Sequence, residues 1–166
     1  NPVNRCYYCK QGVFGTILEA AKNDGITVIL DGTNASDDAD DRPGMKALQE
    51  MKVLSPLRMC GYVKSEIRKQ SKEAGLFVYN KPSYACLATR IPTGTEIDEE
   101  KIKQVEAAET FLFDLGFSDF RVRWMDNKAK IQMPESQLQA LMEKREVVLE
   151  ELSKIFDEVL LDLRTR

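Results

Sequence analysis

The 166-residue sequence contains no histidine. That absence removes Ser-His-Asp and Cys-His relays, zinc sites built on imidazole, and any histidine pH switch. Acid, base, nucleophile and metal ligand must come from Cys, Asp, Glu, Lys, Arg, Tyr or the backbone. Cysteine is scarce, with four residues at positions 6, 9, 60 and 86. A secreted disulfide scaffold would be shorter and denser in cysteine, so the thiols are expected to be free or metal-bound in a reducing cytoplasm. No apolar run approaches the roughly 20 residues of a membrane span, and no signal peptide is read at the start. Positive charge is not in excess: 24 Lys and Arg face 27 Asp and Glu, for a net charge of −3. This argues against a nucleic-acid partner, which would leave a basic footprint.

What is present is enough for a core. A chain of this size buries roughly 70% of its unfolded surface, in one domain or two small ones. The chain opens on Asn1, inside a cysteine-bearing motif, and so reads as a piece of a longer protein. Val13, Phe14, Ile17, Leu18 and Ala21 recur at helical spacing between Tyr7 and Asn23, with Gly25 just beyond. The β-branched run Ile26–Leu30 predicts a buried, parallel strand, and Lys52–Leu54 a second short one. Short helices are expected after Arg42-Pro43-Gly44 and from Lys64 to Ala74, stopping at Gly75. This α-β-α-β-α rhythm is that of a layered parallel sheet.

Residues 77–97 carry loop punctuation, and a different pattern follows. Asp98 is a good N-cap, with Glu99 and Glu100 at the positive end of a helix to about Leu115. Phe120–Trp124 and Ala129–Met133, joined through Met125-Asp126-Asn127-Lys128, predict a hairpin. Pro134 suits the first turn of a long helix to about Phe156, and Glu158–Leu163 a last strand. The reading is therefore α/β over residues 1–95, then a small α+β domain over 96–166.

Several groups can carry chemistry. Cys6-Tyr7-Tyr8-Cys9 is a CxxC, compatible with half a zinc site, a redox pair or a local coincidence. Cys86 lies in Ser83-Tyr84-Ala85-Cys86-Leu87-Ala88-Thr89-Arg90, where an arginine four residues on would favour thiolate. Cys60 has no such setting. Asp31-Gly32-Thr33-Asn34 follows an apolar strand, the position at which open α/β sheets bind ligands. Asp37-Asp38-Ala39-Asp40-Asp41 lacks the offsets of an EF-hand and reads as a solvated or magnesium-facing loop. Arg121 and Arg123 alternate along a strand and share a face, where two guanidiniums can grip phosphate or carboxylate.

In order along the chain stand Arg5-Cys6-Tyr7-Tyr8-Cys9-Lys10, Asp31-Gly32-Thr33-Asn34, Arg42-Pro43-Gly44, Ser55-Pro56-Leu57 and Lys64-Ser65-Glu66-Ile67-Arg68. Lys81-Pro82-Ser83, Cys86-Leu87-Ala88-Thr89-Arg90 and Arg121-Val122-Arg123 follow. The set resembles the LarE family of ATP-dependent sulfur transferases, in the PP-loop (N-type ATP pyrophosphatase) superfamily, often labelled ExsB-like. The resemblance implies that residues 1–95 are the C-terminal part of a PP-loop ATPase-like parallel-sheet domain. It implies an enzyme of nickel-pincer cofactor biosynthesis: ATP with Mg adenylylates a carboxylate of a pyridinium dicarboxylate mononucleotide, and a sulfur nucleophile displaces AMP. In one branch of the family the sulfur is the enzyme's own cysteine, left as dehydroalanine. In another, three cysteines hold a four-iron, four-sulfur cluster.

By the same resemblance, Cys6, Cys9 and Cys86 match the three-cysteine pattern, which leaves one iron of a cubane open for exogenous sulfide. Zinc is the alternative metal. The resemblance puts Cys86 and Glu109 at the catalytic centre. It puts Thr33, Asn34, Lys64, Arg68, Thr89, Arg90, Arg121 and Arg123 on ATP or substrate. It also implies a small-molecule nucleotide substrate and a homo-oligomer. Two departures stand out. The family's Ser-Gly-Gly-x-Asp-Ser phosphate turn is absent, so this chain alone is expected to be inactive towards ATP. The family's Ala-Arg-Ile-Glu-Val stretch is replaced by Ala129-Lys130-Ile131-Gln132-Met133. Other readings are a PP-loop relative acting on tRNA or forming amides, and a zinc-stapled domain without enzymatic activity.

Overall fold

A computed structural model describes residues 1–37 and 43–164. The chain divides into two compact units, Pro2–Lys81 and Asn1 with Pro82–Arg166. The architecture is α/β: seven helices and one three-stranded mixed sheet among the described residues.

The N-terminal unit is mostly helical. Helix α1 (Arg5–Asn23) packs on α2 (Pro43–Glu50), with α3 (Pro56–Met59) and α4 (Lys64–Glu73) following. Gly25 has φ of +74°, and its N–H and that of Ile26 reach back to the Lys22 and Ala21 carbonyls at 3.1 and 2.8 Å. This is a Schellman stop, which needs the left-handed conformation glycine adopts without strain. The same device closes α4 at Gly75. The buried parallel sheet expected here is reduced to one parallel bridge, Leu30 to Leu54. Its two bonds run from the Asp31 N–H to the Leu54 carbonyl at 2.9 Å and from the Leu54 N–H to the Ile29 carbonyl at 3.0 Å. Ile26, Val28 and Leu30 are more than half exposed. Their alternation puts all three on one side of the extended segment, and no described layer of this unit covers that side.

The C-terminal unit is built on α5 (Glu99–Asp114), the hairpin β1 (Arg121–Met125) and β2 (Lys128–Gln132), and β3 (Glu158–Leu161). Asp98 caps α5 as expected, accepting from the Lys101 N–H at 2.8 Å. The hairpin forms over a two-residue turn in which Asp126 and Asn127 both have positive φ, +47° and +60°. That is the mirror-image turn whose twist matches antiparallel strands, and Asn and Asp tolerate it best after Gly. β3 pairs parallel to β2, giving the order β1-β2-β3. The expected single long helix to Phe156 is instead a 3-10 turn (Glu135–Gln137), α6 (Leu138–Glu143) and α7 (Arg145–Leu152). The break falls at Lys144, whose ammonium leaves the helix line to donate to the Leu115 carbonyl, 2.6 Å away at the end of α5. The bend lets Leu141 and Val148 both enter the core with Leu112, Phe117, Phe120, Val122, Ile131 and Leu152.

Candidate functional site

Each unit carries a cluster of the singled-out residues. In the N-terminal unit, Cys6 and Cys9 lie three residues apart on α1, one turn along the same face. Both thiols are free and exposed. Tyr7, between them, donates from its hydroxyl to Glu50 of α2 at 2.6 Å and accepts from Gln11 at 2.8 Å. The Glu50 hydrogen bond raises the Tyr7 phenol above its ordinary range. The first turn of α1 is thus tied to α2. At Gly44 the two helices come close: a Cβ there would lie 3.1 Å from Lys10 Cδ and 3.6 Å from Cys6 Cβ. Beside this contact is a cavity of about 270 Å³, lined by Cys6, Lys10, Thr33, Asp37 and Gly44 among others. It brings the CxxC helix and the Asp31–Asn34 loop to one place.

That loop is held by its own side chains. Asp31 accepts from the Ser55 hydroxyl at 2.6 Å, the Thr33 hydroxyl at 2.6 Å and the Thr33 N–H at 3.2 Å. Burial pushes its carboxyl up, but the Ser55 and Thr33 bonds outweigh burial and hold it below the usual range. Asn34 donates to Asp37 at 2.8 Å and accepts from the Ser36 N–H at 2.9 Å. Ser36 in turn accepts from the backbone N–H of Lys64 at 2.9 Å, joining the loop to the start of α4. Arg68 donates to the Tyr79 and Lys81 carbonyls at 3.2 and 2.6 Å and so shapes the backbone after α4. Asp38, Asp40, Asp41 and Arg42 lie outside the described residues.

The C-terminal unit gathers Cys86, Thr89, Arg90, Glu109, Arg121 and Arg123. Cys86 is exposed, just before the 3-10 turn Leu87–Arg90. Arg90 and Glu109 are each 1% exposed and form a two-pronged ion pair, with Nε to Oε1 at 2.7 Å and Nη2 to Oε2 at 3.0 Å. Oε1 of Glu109 also accepts from the Val122 N–H at 2.8 Å, and Oε2 from the Tyr84 hydroxyl. The third corner of the guanidinium, Nη1 of Arg90, donates to Thr89 Oγ1 at 2.8 Å and to the Ala85 and Cys86 carbonyls at 3.3 and 3.5 Å. Arg121 is buried and donates to the Phe120 and Ser83 carbonyls, both at 2.6 Å. Arg123 donates to the Thr89 carbonyl at 3.0 Å and to Gln132.

Three participants had no reading of their own in the sequence. Tyr84 lies over both guanidiniums, its ring centre 5.1 Å from Arg90 Cζ and 5.3 Å from Arg121 Cζ. Burial and the Glu109 bond push its phenol up to about 12. Gln132 bridges Arg123 to Asp162, donating to the latter at 2.7 Å. Asp162 also pairs with Lys130 at 2.8 Å, and the Lys130, Gln132 and Arg164 hydrogen bonds hold it well below the usual carboxylate range. The strand that departs from the family pattern therefore has partners for its two changed polar residues, Lys130 and Gln132. Tyr84 sits inside a quoted motif, but Asp162 had no local signal at all.

Comparison with known proteins adds to this geometry. No family model matches the chain. It is 35% identical over 138 residues to the pyridinium-3,5-bisthiocarboxylic acid mononucleotide synthase of Lactiplantibacillus plantarum, covering 83% of this chain and 50% of that protein. It is also 39% identical over 156 residues to the uncharacterized protein slr1717 of Synechocystis, covering 94% of this chain and 58% of that one. A third relative is the uncharacterized protein MJ0830 of Methanocaldococcus jannaschii, 32% identical over 148 residues, with 89% and 58% covered. The chain spans about half the length of the curated relatives it matches. No helix among the described residues is long and apolar enough to cross a membrane.

The thiols can be tested against a metal. Among the described residues, no three His, Cys, Asp or Glu side chains are gathered as a ready metal site. Cys6 and Cys9 offer two free thiols on one helix face, a fit for two of a cluster's ligands. Cys86 is equally free and belongs to the other unit.

Proposed function

We propose that this chain is part of an ATP-dependent sulfur transferase that thiolates a carboxylate of a pyridinium dicarboxylate mononucleotide. In the proposed sequence, the carboxylate oxygen attacks the α-phosphorus of ATP and pyrophosphate leaves. A sulfur nucleophile then attacks the acyl carbon, a C–S bond forms, and the C–O bond to AMP breaks. This divides one difficult substitution into two easier ones. The observation that carries the reading is the exposed Cys86 thiol, on a loop held by buried charged groups, in a chain 35% identical to a named thiocarboxylate synthase.

Cys6, Cys9 and Cys86 are the residues that would hold a four-iron, four-sulfur cluster, with zinc as the competing metal. When bound, such a cluster supplies transferable sulfide at an iron left open by three thiolates. The residues themselves do the rest. Arg121 and Arg123 bring positive charge to the substrate's phosphate and carboxylates. The loop Asp31–Asn34 serves the nucleotide, with Thr33 facing the cavity beside Cys6.

Anaerobic reconstitution with iron and sulfide tests the reading. A brown protein is expected, and Cys6→Ala, Cys9→Ala and Cys86→Ala should each bleach it. A colourless, zinc-loaded protein under those conditions rejects the cluster. If Cys86 itself gives up sulfur, intact mass after turnover shows dehydroalanine in its place. Absence of thiocarboxylate product, when the chain is supplied with the part of its relatives that it does not span, rejects sulfur transfer altogether.

A further inference from the structure

Residues 83–86 belong to no helix or strand, yet each is held by a charged side chain of the same unit. Ser83 gives its carbonyl to Arg121 at 2.6 Å. Tyr84 donates its hydroxyl to Glu109 and lays its ring over Arg90 and Arg121. The Ala85 and Cys86 carbonyls accept from Arg90 at 3.3 and 3.5 Å. Thr89 fastens the Cys86 carbonyl a second time, through its hydroxyl at 2.8 Å and its N–H at 2.9 Å. The Cys86 thiol itself is free and exposed.

Burying an ion pair is not an efficient way to stabilise a fold. A well-packed apolar pair of similar size is often as stable or more so. What the Arg90–Glu109 pair supplies, and an apolar pair lacks, is directed hydrogen bonds. Glu109 is tied to β1 through the Val122 N–H, and it turns Arg90 so that Nη1 meets the loop. Tyr84, 47% exposed, covers the pair from the solvent side. The result is a continuous line from a β-strand backbone to the carbonyl of the thiol-bearing residue.

We infer that Tyr84, together with the buried Arg90–Glu109 pair, is a positioning device that fixes the Cys86 thiol for sulfur delivery. The inference rests on the sulfur-handling role of Cys86 proposed above and gives that site its support. Arg90 and Glu109 act here through the loop and not on the substrate. A thiol displaced by about 1 Å from its line of approach can lose two orders of magnitude in rate, so a loop without regular structure gains from such a clamp.

Two variants test it. Tyr84→Leu removes the ring over the guanidiniums and the bond to Glu109, and Tyr84→Phe keeps the ring. The first measurement needs no turnover: iodoacetamide labelling of Cys86, followed by peptide mass spectrometry, with Cys60 of the other unit as internal reference. Loss of the ring and of a hydrogen bond to a charged group should speed Cys86 labelling roughly threefold or more in Tyr84→Leu. Cys60 should be unchanged, and Tyr84→Phe should fall between Tyr84→Leu and the wild type. The second measurement is sulfur transfer, where kcat should fall about tenfold in Tyr84→Leu with KM for ATP unchanged, and Tyr84→Phe should recover part of the loss. A merely structural role would not separate kcat from KM in this way.

Cys86 labelling and kcat at wild-type values in a folded Tyr84→Leu overturn the inference. If Tyr84→Leu does not fold, Tyr84→Phe decides: faster Cys86 labelling supports the clamp, and no change overturns it. A wild-type protein that transfers no sulfur removes the functional reading, while labelling still judges the clamp.

Discussion

The two units handle their chemistry in opposite ways. The C-terminal unit buries its charged centre beneath a continuous apolar core, and leaves one thiol exposed. The N-terminal unit has few fully buried apolar residues, Ala21, Ala47, Leu48 and Val53, and carries its thiols on the outside of a helix. Its apolar segment Ile26–Leu30 is exposed rather than enclosed. Geometry in the C-terminal unit is therefore fixed by packing and directed hydrogen bonds. In the N-terminal unit it is fixed by side-chain hydrogen bonds between loop residues, such as Asp31 with Thr33 and Ser55.

The largest break in this contrast should come from Glu109→Ala. It leaves the Arg90 guanidinium buried without its carboxylate, and removing one partner of a buried pair costs about 3–5 kcal/mol. The sequence has a single tryptophan, Trp124, and it lies on β1. Its fluorescence during urea unfolding reports the C-terminal unit alone. A midpoint within error of wild type would mean that the pair is not an anchor of this unit. Next in size is Leu112→Ala, at a fully buried core position. The expected loss is about 2–5 kcal/mol by the same fluorescence measurement.

These two residues were read unequally well from the sequence. Leu112 lies in a helix whose start was marked by Asp98 and whose end was expected near Leu115, the position of its C-cap. The hairpin was equally plain, because Asp126-Asn127 suits the turn that two adjacent strands require. Those signals are local. The pairing of Glu109 with Arg90 joins residues 19 apart, and the bridge from Gln132 to Asp162 spans 30; no local pattern encodes either. The break at Lys144 has no local pattern either; there the ammonium meets a carbonyl 29 residues away. In Ile26–Leu30 the pattern predicted a buried strand, but only Leu30 pairs, through one parallel bridge to Leu54, and the sequence of a segment does not state what covers it.

Acid sharpens the comparison next. Asp162 is held below the ordinary carboxylate range by Lys130, Gln132 and Arg164. A carboxyl depressed in the folded state stabilises the fold above its unfolded value, and that contribution is lost as pH falls towards the lower folded value. The C-terminal unit should therefore weaken progressively below about pH 4. Asp162→Asn should be less stable than wild type at neutral pH, and the two should converge on acidification. Tryptophan-monitored melting across the acid range checks this. Parallel curves at all pH values would show that the Asp162 cluster does not couple folding to protons.

The smallest effect is the one most informative about the N-terminal unit. Val28 is 55% exposed between Ile26 and Leu30, which share its side of the segment. Val28→Ser removes apolar surface that is already in contact with water. It should shift stability by no more than about 0.5 kcal/mol, the range of ordinary surface substitutions, as measured by circular dichroism during thermal unfolding. A core valine replaced by a hydroxyl would cost several times that, because the hydroxyl would be buried without a partner. A large loss would therefore mean that this side is covered in solution and that the N-terminal unit has a core like its neighbour's. A negligible loss, with less self-association in light scattering, would show that the exposed valine is a true surface residue and that the contrast between the units holds.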